Sequence, residues 1–158
     1  MQANRNIKRM IIWALLTNML ILVGLGNGTG FMIIVEAIFI PLILNDSFYF
    51  SLSDTYAQLL PTAALLSLIG QILLALSLFR KSKLSQALLV ITGLLFTYGG
   101  LLYLTINAGQ DNEALTGLIT AVPFICVSVL ILYATISSYA YKIEEFLRGN
   151  AERYHLPD

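Results

Sequence analysis

Apolar residues fill the chain in long runs without charge. Met10–Val35, Thr55–Phe79, Leu84–Gln110 and Ala114–Tyr141 contain no Asp, Glu, Lys or Arg. Each run exceeds the roughly 20 residues that carry a helix across a bilayer. The pattern predicts an all-α integral membrane protein, a bundle of four transmembrane helices over about 8–27, 57–79, 84–106 and 115–141. A further apolar segment, 31–44 (FMIIVEAIFIPLIL), is too short to cross. As a helix it rises only about 21 Å, against a hydrocarbon core of about 30 Å. It is expected as a re-entrant or outer-leaflet helix in the first outer loop, kinked or ended by Pro41, which lacks an amide donor. The run from Gly24 to Gly30 (GLGNGTG) is expected to make the tight reversal that joins it to the first span.

Composition narrows the function classes. The chain is 58% apolar, and only 11% of its 158 residues are charged. Soluble domains carry about 25% charge, so a soluble enzyme, a disulfide-stapled secreted domain and a disordered chain are excluded. No inter-helix segment is both long and polar, and residues 1–158 read as a single membrane domain. The formal net charge is zero, which supplies no field for nucleic acid. The lone Cys126 has no partner for a disulfide and lies in an apolar run, where a thiol acts as a small filler.

The placement of charge adds an orientation. All nine basic residues fall in three clusters, Arg5/Lys8/Arg9, Arg80/Lys81/Lys83 and Lys142/Arg148/Arg153. The connectors between them hold Asp46, Asp54, Asp111 and Glu113 instead. Basic loops stay on the cytoplasmic side, so both termini are expected inside, in the inner or plasma membrane. Trp13, Tyr139 and Tyr141 then mark the inner interface, and Tyr49, Tyr56 and Tyr103 the outer one. Asn27-Gly-Thr29 and Asn45-Asp-Ser47 match the glycosylation sequon on that outer side. Arg5, Lys8 and Arg9 followed by an apolar run also resemble a signal peptide. Thr17 and Asn18 interrupt that run, and an uncleaved signal anchor is the expectation. The tail, 142–158, reads as a helix leaving the bilayer, with Ile143, Phe146 and Leu147 on one side and Gly149 as its end.

Few residues carry chemistry. Glu36 is the one ionisable residue inside an expected membrane segment. A charged carboxylate there costs several kcal/mol unless it is paired, wet or protonated. It is the candidate for ion coupling or for binding a partner. Asn18, Gln71, Thr92 and Ser128 are candidates for a polar interior or a hydrated path. Ala64, Ser67, Gly93, Gly99, Gly100 and Thr135 are candidates for helix packing, since small residues let membrane helices approach closely. Gly99 and Gly100 beside Tyr98, and Pro123, mark expected bends. The only histidine, His155, lies four residues from the end, and no metal-ligand or nucleophile motif occurs. No cofactor and no catalytic residue are therefore expected. The leading expectation is a non-enzymatic subunit or scaffold of a membrane complex, in contact with lipid and with other subunits or its own copies. The alternative is a small oligomeric proton- or cation-coupled carrier or channel that uses Glu36.

Overall fold

A computed structural model describes residues 2–24, 28–45 and 55–154, with the side chains of 6–24, 28–41, 43 and 55–138. Asp46, Asp54, His155 and parts of both sequons lie outside the described residues. The elements in chain order are α1 (Gln2–Met19), β1 (Leu22–Gly24), β2 (Thr29–Phe31), α2 (Met32–Asn45), α3 (Tyr56–Phe79), α4 (Lys83–Thr105) and α5 (Asn112–Tyr154). Among the described residues, three helices are long and apolar enough to cross a membrane: Tyr56–Phe79, Lys83–Thr105 and Asn112–Ser138. This is the architecture of an all-α membrane protein.

The tightest element pair is α3 with α4, joined by the short turn at Arg80–Ser82. Small residues bring the two backbones together. A Cβ on Gly70 would lie 2.5 Å from Thr97 Cγ2 and 2.6 Å from the Gly93 carbonyl oxygen. One on Gly100 would lie 2.7 Å from the Ala63 carbonyl oxygen. The α4 face turned to α3 is therefore Gly93, Thr97 and Gly100, at helical spacings of four and three. Gly99 makes only an ordinary contact, 3.6 Å from Leu66 Cδ1. Thr92 lies on the exposed side. Thr92/Gly99 and Gly93/Gly100 are adjacent rows, about 100° apart around the helix, and the row inward is the one that meets Gly70.

α5 crosses behind this pair with Ala121, Phe124, Ser128, Ile131 and Thr135 buried in one stripe. It faces both α4 and α1, whose own buried stripe is Ile11, Ala14 and Asn18. Beyond the span α5 continues to Tyr154 without a break, so Gly149 does not end it. One glycine costs a helix interior only about 1 kcal/mol, and the helix-forming residues on either side outweigh that. Pro41 likewise lies inside α2, and Pro123 inside α5, without ending either helix.

The first span departs furthest from expectation. In place of one helix over about 8–27, α1 stops at Met19 and the chain becomes extended at Leu22. β1 and β2 pair antiparallel, Leu22 opposite Phe31 and Gly24 opposite Thr29. α2 then starts directly at Met32, whose N–H donates to the Ile21 carbonyl at 2.8 Å. Extended backbone among apolar helices is tolerable only if its polar groups find partners, and along β1 two side chains supply them. The Leu22 N–H donates to Thr120 Oγ1 of α5 at 3.0 Å, and the Gly24 N–H to the Tyr56 hydroxyl of α3 at 3.2 Å. Ile21, Val23 and Gly24 are buried between them.

Candidate functional site: a buried polar cluster

Glu36, on the second turn of α2, is turned inward and only 3% exposed. Its Oε1 accepts a hydrogen bond from Gln71 Nε2 of α3 at 2.7 Å. The same Nε2 reaches Ser67 Oγ, one turn earlier on α3, at 3.2 Å. Ser67 Oγ also accepts from Asn18 Nδ2 of α1, at 2.9 Å. Both amides donate to the one Ser67 oxygen. Four polar side chains from α1, α2 and α3 thus form one connected cluster, none more than 5% exposed.

The register of each helix explains the convergence. On α3, Ser67 and Gln71 are separated by four residues and share a face. Ser67 also belongs to the row with Ala63 and Gly70 that meets α4, so it borders two interfaces. Ala64 is buried one residue away. On α1, Asn18 is the last inward position of the stripe Ile11, Ala14, Asn18, one residue before the helix ends. The hairpin then turns the chain back so that α2 starts beside the place where α1 stopped, and Glu36 meets residues brought from 35 positions further along.

The electrostatics follow from what is absent nearby. No Lys or Arg occurs between Met10 and Phe79, so the carboxyl group faces only neutral amide and hydroxyl partners. A void of about 10 Å³, bounded by Asn18, Ser67, Thr97 and apolar neighbours, adjoins the cluster. That is about the room one water requires. Among the described residues no three of His, Cys, Asp and Glu come together as a metal site would need.

The structure joins some of the sequence candidates and separates others. Asn18, Ser67, Gln71 and Glu36 come together. Thr92 does not join them, because its hydroxyl turns back to the Leu88 carbonyl of its own helix at 2.7 Å. Ser128 forms a different pair: its Oγ donates to the Ile125 carbonyl and lies 2.6 Å from the Tyr98 hydroxyl, which links α4 to α5. The expected path through Asn18, Gln71, Thr92 and Ser128 is therefore divided among three places. Thr135 is buried on α5, and among the described residues its hydroxyl has no hydrogen-bond partner.

Sequence reasoning read Tyr56 only as an interface marker and passed over Thr120, though both hold the hairpin backbone, and it did not pair Tyr98 with Ser128. Buried Gln86, whose Nε2 has no partner among the described residues, was also passed over. Gly70 and Thr97 were missed in the packing rows. The spacing Ala63, Ser67, Gly70 was a signal for the first of these, since it repeats the spacing of Gly93, Thr97 and Gly100.

A second concavity lies at the Tyr56 end of α3. A cavity of about 470 Å³ is bounded by Phe39, Tyr56, Ala57 and Leu60, with Asp111 and Glu113 from the start of α5. No protein-family model, characterised protein or solved structure matches this chain.

Proposed function

We propose that the chain is a non-enzymatic subunit or scaffold of a membrane complex, built to pack its outward helix faces against other membrane helices. The observation that carries this reading is the burial of the polar cluster inside the chain. Asn18, Ser67, Gln71 and Glu36 are joined to one another by hydrogen bonds. They fasten the interrupted first segment to α3, and none of the four is more than 5% exposed. What the bundle turns outward is apolar. Leu84, Leu88, Ile91, Leu95 and Leu102 form an exposed stripe along α4, and Ile119, Val122, Val129, Tyr133 and Ile136 one along α5. Such stripes meet lipid or neighbouring helices, where van der Waals packing drives association. The native mass after extraction in mild detergent tests this. A mass well above one chain plus its detergent is expected, and a monodisperse single chain would overturn the reading.

A second reading rests on the same carboxyl group: a small oligomeric carrier or channel coupled to protons or cations. Glu36 favours it, because a membrane-embedded carboxyl group with only neutral partners is chemistry suited to reversible proton binding. In liposomes, Glu36→Gln would abolish proton-coupled flux while leaving the protein folded. Flux unchanged in that variant would remove Glu36 from any transport role.

A further inference from the structure

We infer that the turn between α3 and α4 binds an anionic phospholipid, with Arg80, Lys81 and Lys83 at its phosphate and Phe79 and Leu84 against its acyl chains. This goes beyond the packing role proposed above and does not depend on it.

The turn crowds positive charge that no described acid offsets. Arg80, Lys81 and Lys83 are all exposed, and three backbone steps keep the Cα atoms of Arg80 and Lys83 within about 11 Å of each other. The described acidic side chains are Glu36, Asp111 and Glu113. Glu36 is buried in the polar cluster, and the other two stand at the start of α5, beside Tyr56 at the opposite end of α3. A helix of 24 residues puts about 36 Å between those ends. The extension of α5 carries Glu144, Glu145 and Glu152 with Lys142, Arg148 and Arg153, so it adds no net charge. Crowded like charges of this kind are stabilised by an anion from outside the chain.

The surroundings select a lipid among anions. The apolar spans end at Phe79 and begin again at Lys83, which sets the turn at the edge of the apolar layer, the depth of phospholipid headgroups. Phe79 is 81% exposed and Leu84 61%, so large apolar side chains border the bases on both sides of the turn. A free phosphate would engage the bases alone, whereas a phospholipid engages the bases and the apolar pair together. Basic clusters beside membrane helices favour anionic headgroups over neutral ones. Backbone donors act in the same direction. The Ser82 side chain makes no cap bond, and the Gln86 N–H is the first of α4 to bond back, to the Ser82 carbonyl at 2.9 Å. The N–H groups of Lys83, Leu84 and Ser85 have no acceptor among the described residues, and a phosphate oxygen beside the bases supplies one.

Native mass spectrometry of the full chain in dodecylmaltoside tests the site. Dioleoyl phosphatidylglycerol and dioleoyl phosphatidylcholine, with the same acyl chains and different charge, are the probes. One phosphatidylglycerol per chain should be retained roughly tenfold more strongly than phosphatidylcholine. Arg80→Gln/Lys81→Gln/Lys83→Gln should remove that preference. Arg5→Gln/Lys8→Gln/Arg9→Gln deletes the same charge from α1 and should leave most of it. Glycerophosphoglycerol, the headgroup without its chains, should not displace the lipid at millimolar concentration. Equal retention of the two lipids would overturn the proposal. A loss no greater in the turn variant than in the α1 variant would reduce the effect to general surface charge and overturn it as well. Displacement by the free headgroup would assign the turn to soluble phosphates and exclude the lipid. The lipid comparison and the displacement use the unaltered protein, so they decide the matter even if a variant does not fold.

Discussion

The α3–α4 pair and the α1–hairpin–α2 segment solve the same problem in opposite ways. Both must fit backbone among apolar neighbours without leaving polar groups uncovered. In α3 and α4 every interior amide is satisfied within its own helix, and the pair is joined by shape, with Gly70 against Gly93 and Thr97, and Gly100 against Ala63. Between Met19 and Met32 the helix is interrupted, so the backbone depends on Thr120, Tyr56 and the short hairpin. Side chains then add the fastening that shape does not, through Asn18, Ser67, Gln71 and Glu36. Close packing tolerates almost no added volume, whereas a polar junction tolerates volume but not the loss of a partner. α3 takes part in both, and Ser67 is the residue where they meet.

That contrast can be broken most sharply at Gly70. Gly70→Leu places a branched side chain where even a Cβ lies 2.5 Å from Thr97. Overpacking costs about 1–3 kcal/mol and sometimes more, and two helix backbones that cannot yield put this site at the upper end. Denaturant titration in mild detergent should show a large loss of the folded fraction. Gly99→Ala, on the adjacent row with its nearest neighbour at 3.6 Å, should cost nothing and gain up to about 1 kcal/mol of helix propensity. Similar losses at both positions would mean that the rows are not distinguished as described.

The polar junction should respond to partner removal. Thr120→Val keeps the shape and deletes the acceptor of the Leu22 N–H. A buried donor left without a partner costs about 1–3 kcal/mol. Amide exchange should speed at Leu22 and its hairpin neighbours first, while α3 and α4 keep their protection. Exchange rising equally in all helices would show that the hairpin is not a separate unit.

Within the cluster, Glu36→Leu removes the acceptor of Gln71 and should cost more than Glu36→Gln, which keeps an oxygen in place. The difference is expected at about 1 kcal/mol in unfolding free energy. Equal stability of the two variants would mean that the cluster does not fasten α2. The smallest loss is expected from Tyr98→Phe. It deletes the bond to Ser128 but keeps the ring against Phe124, with centroids 5.7 Å apart. Interhelical hydrogen bonds in membrane proteins average about 0.6 kcal/mol, and a thermal midpoint lowered by a few degrees is the measure.

Much of this was legible before any fold was known. The uncharged runs located α3, α4 and the apolar part of α5, because hydropathy over 20 residues is a local property. The same reading marked 31–44 as a short separate helix, close to α2 at Met32–Asn45. Glu36, Asn18 and Gln71 stood out singly as polar residues in apolar runs. Their meeting was not legible, nor was the end of α1 at Met19, since nothing in Leu20–Val23 disfavours a helix. The interruption is stabilised by Thr120, 98 positions away, and by Tyr56, 32 positions away.

The sequence by itself therefore determined that the chain has long apolar helices, that its bases and connector acids are segregated, and that polar interior groups are few. Those properties depend on residue type and near neighbours alone. Tertiary structure decided which row of α4 faces inward, where the first helix stops, and that four polar side chains form one cluster while Thr92 and Ser128 stay apart. Each of these depends on contacts between elements far apart in the chain. A helix can present any of several adjacent rows at little intrinsic cost, and only the partner it meets selects one.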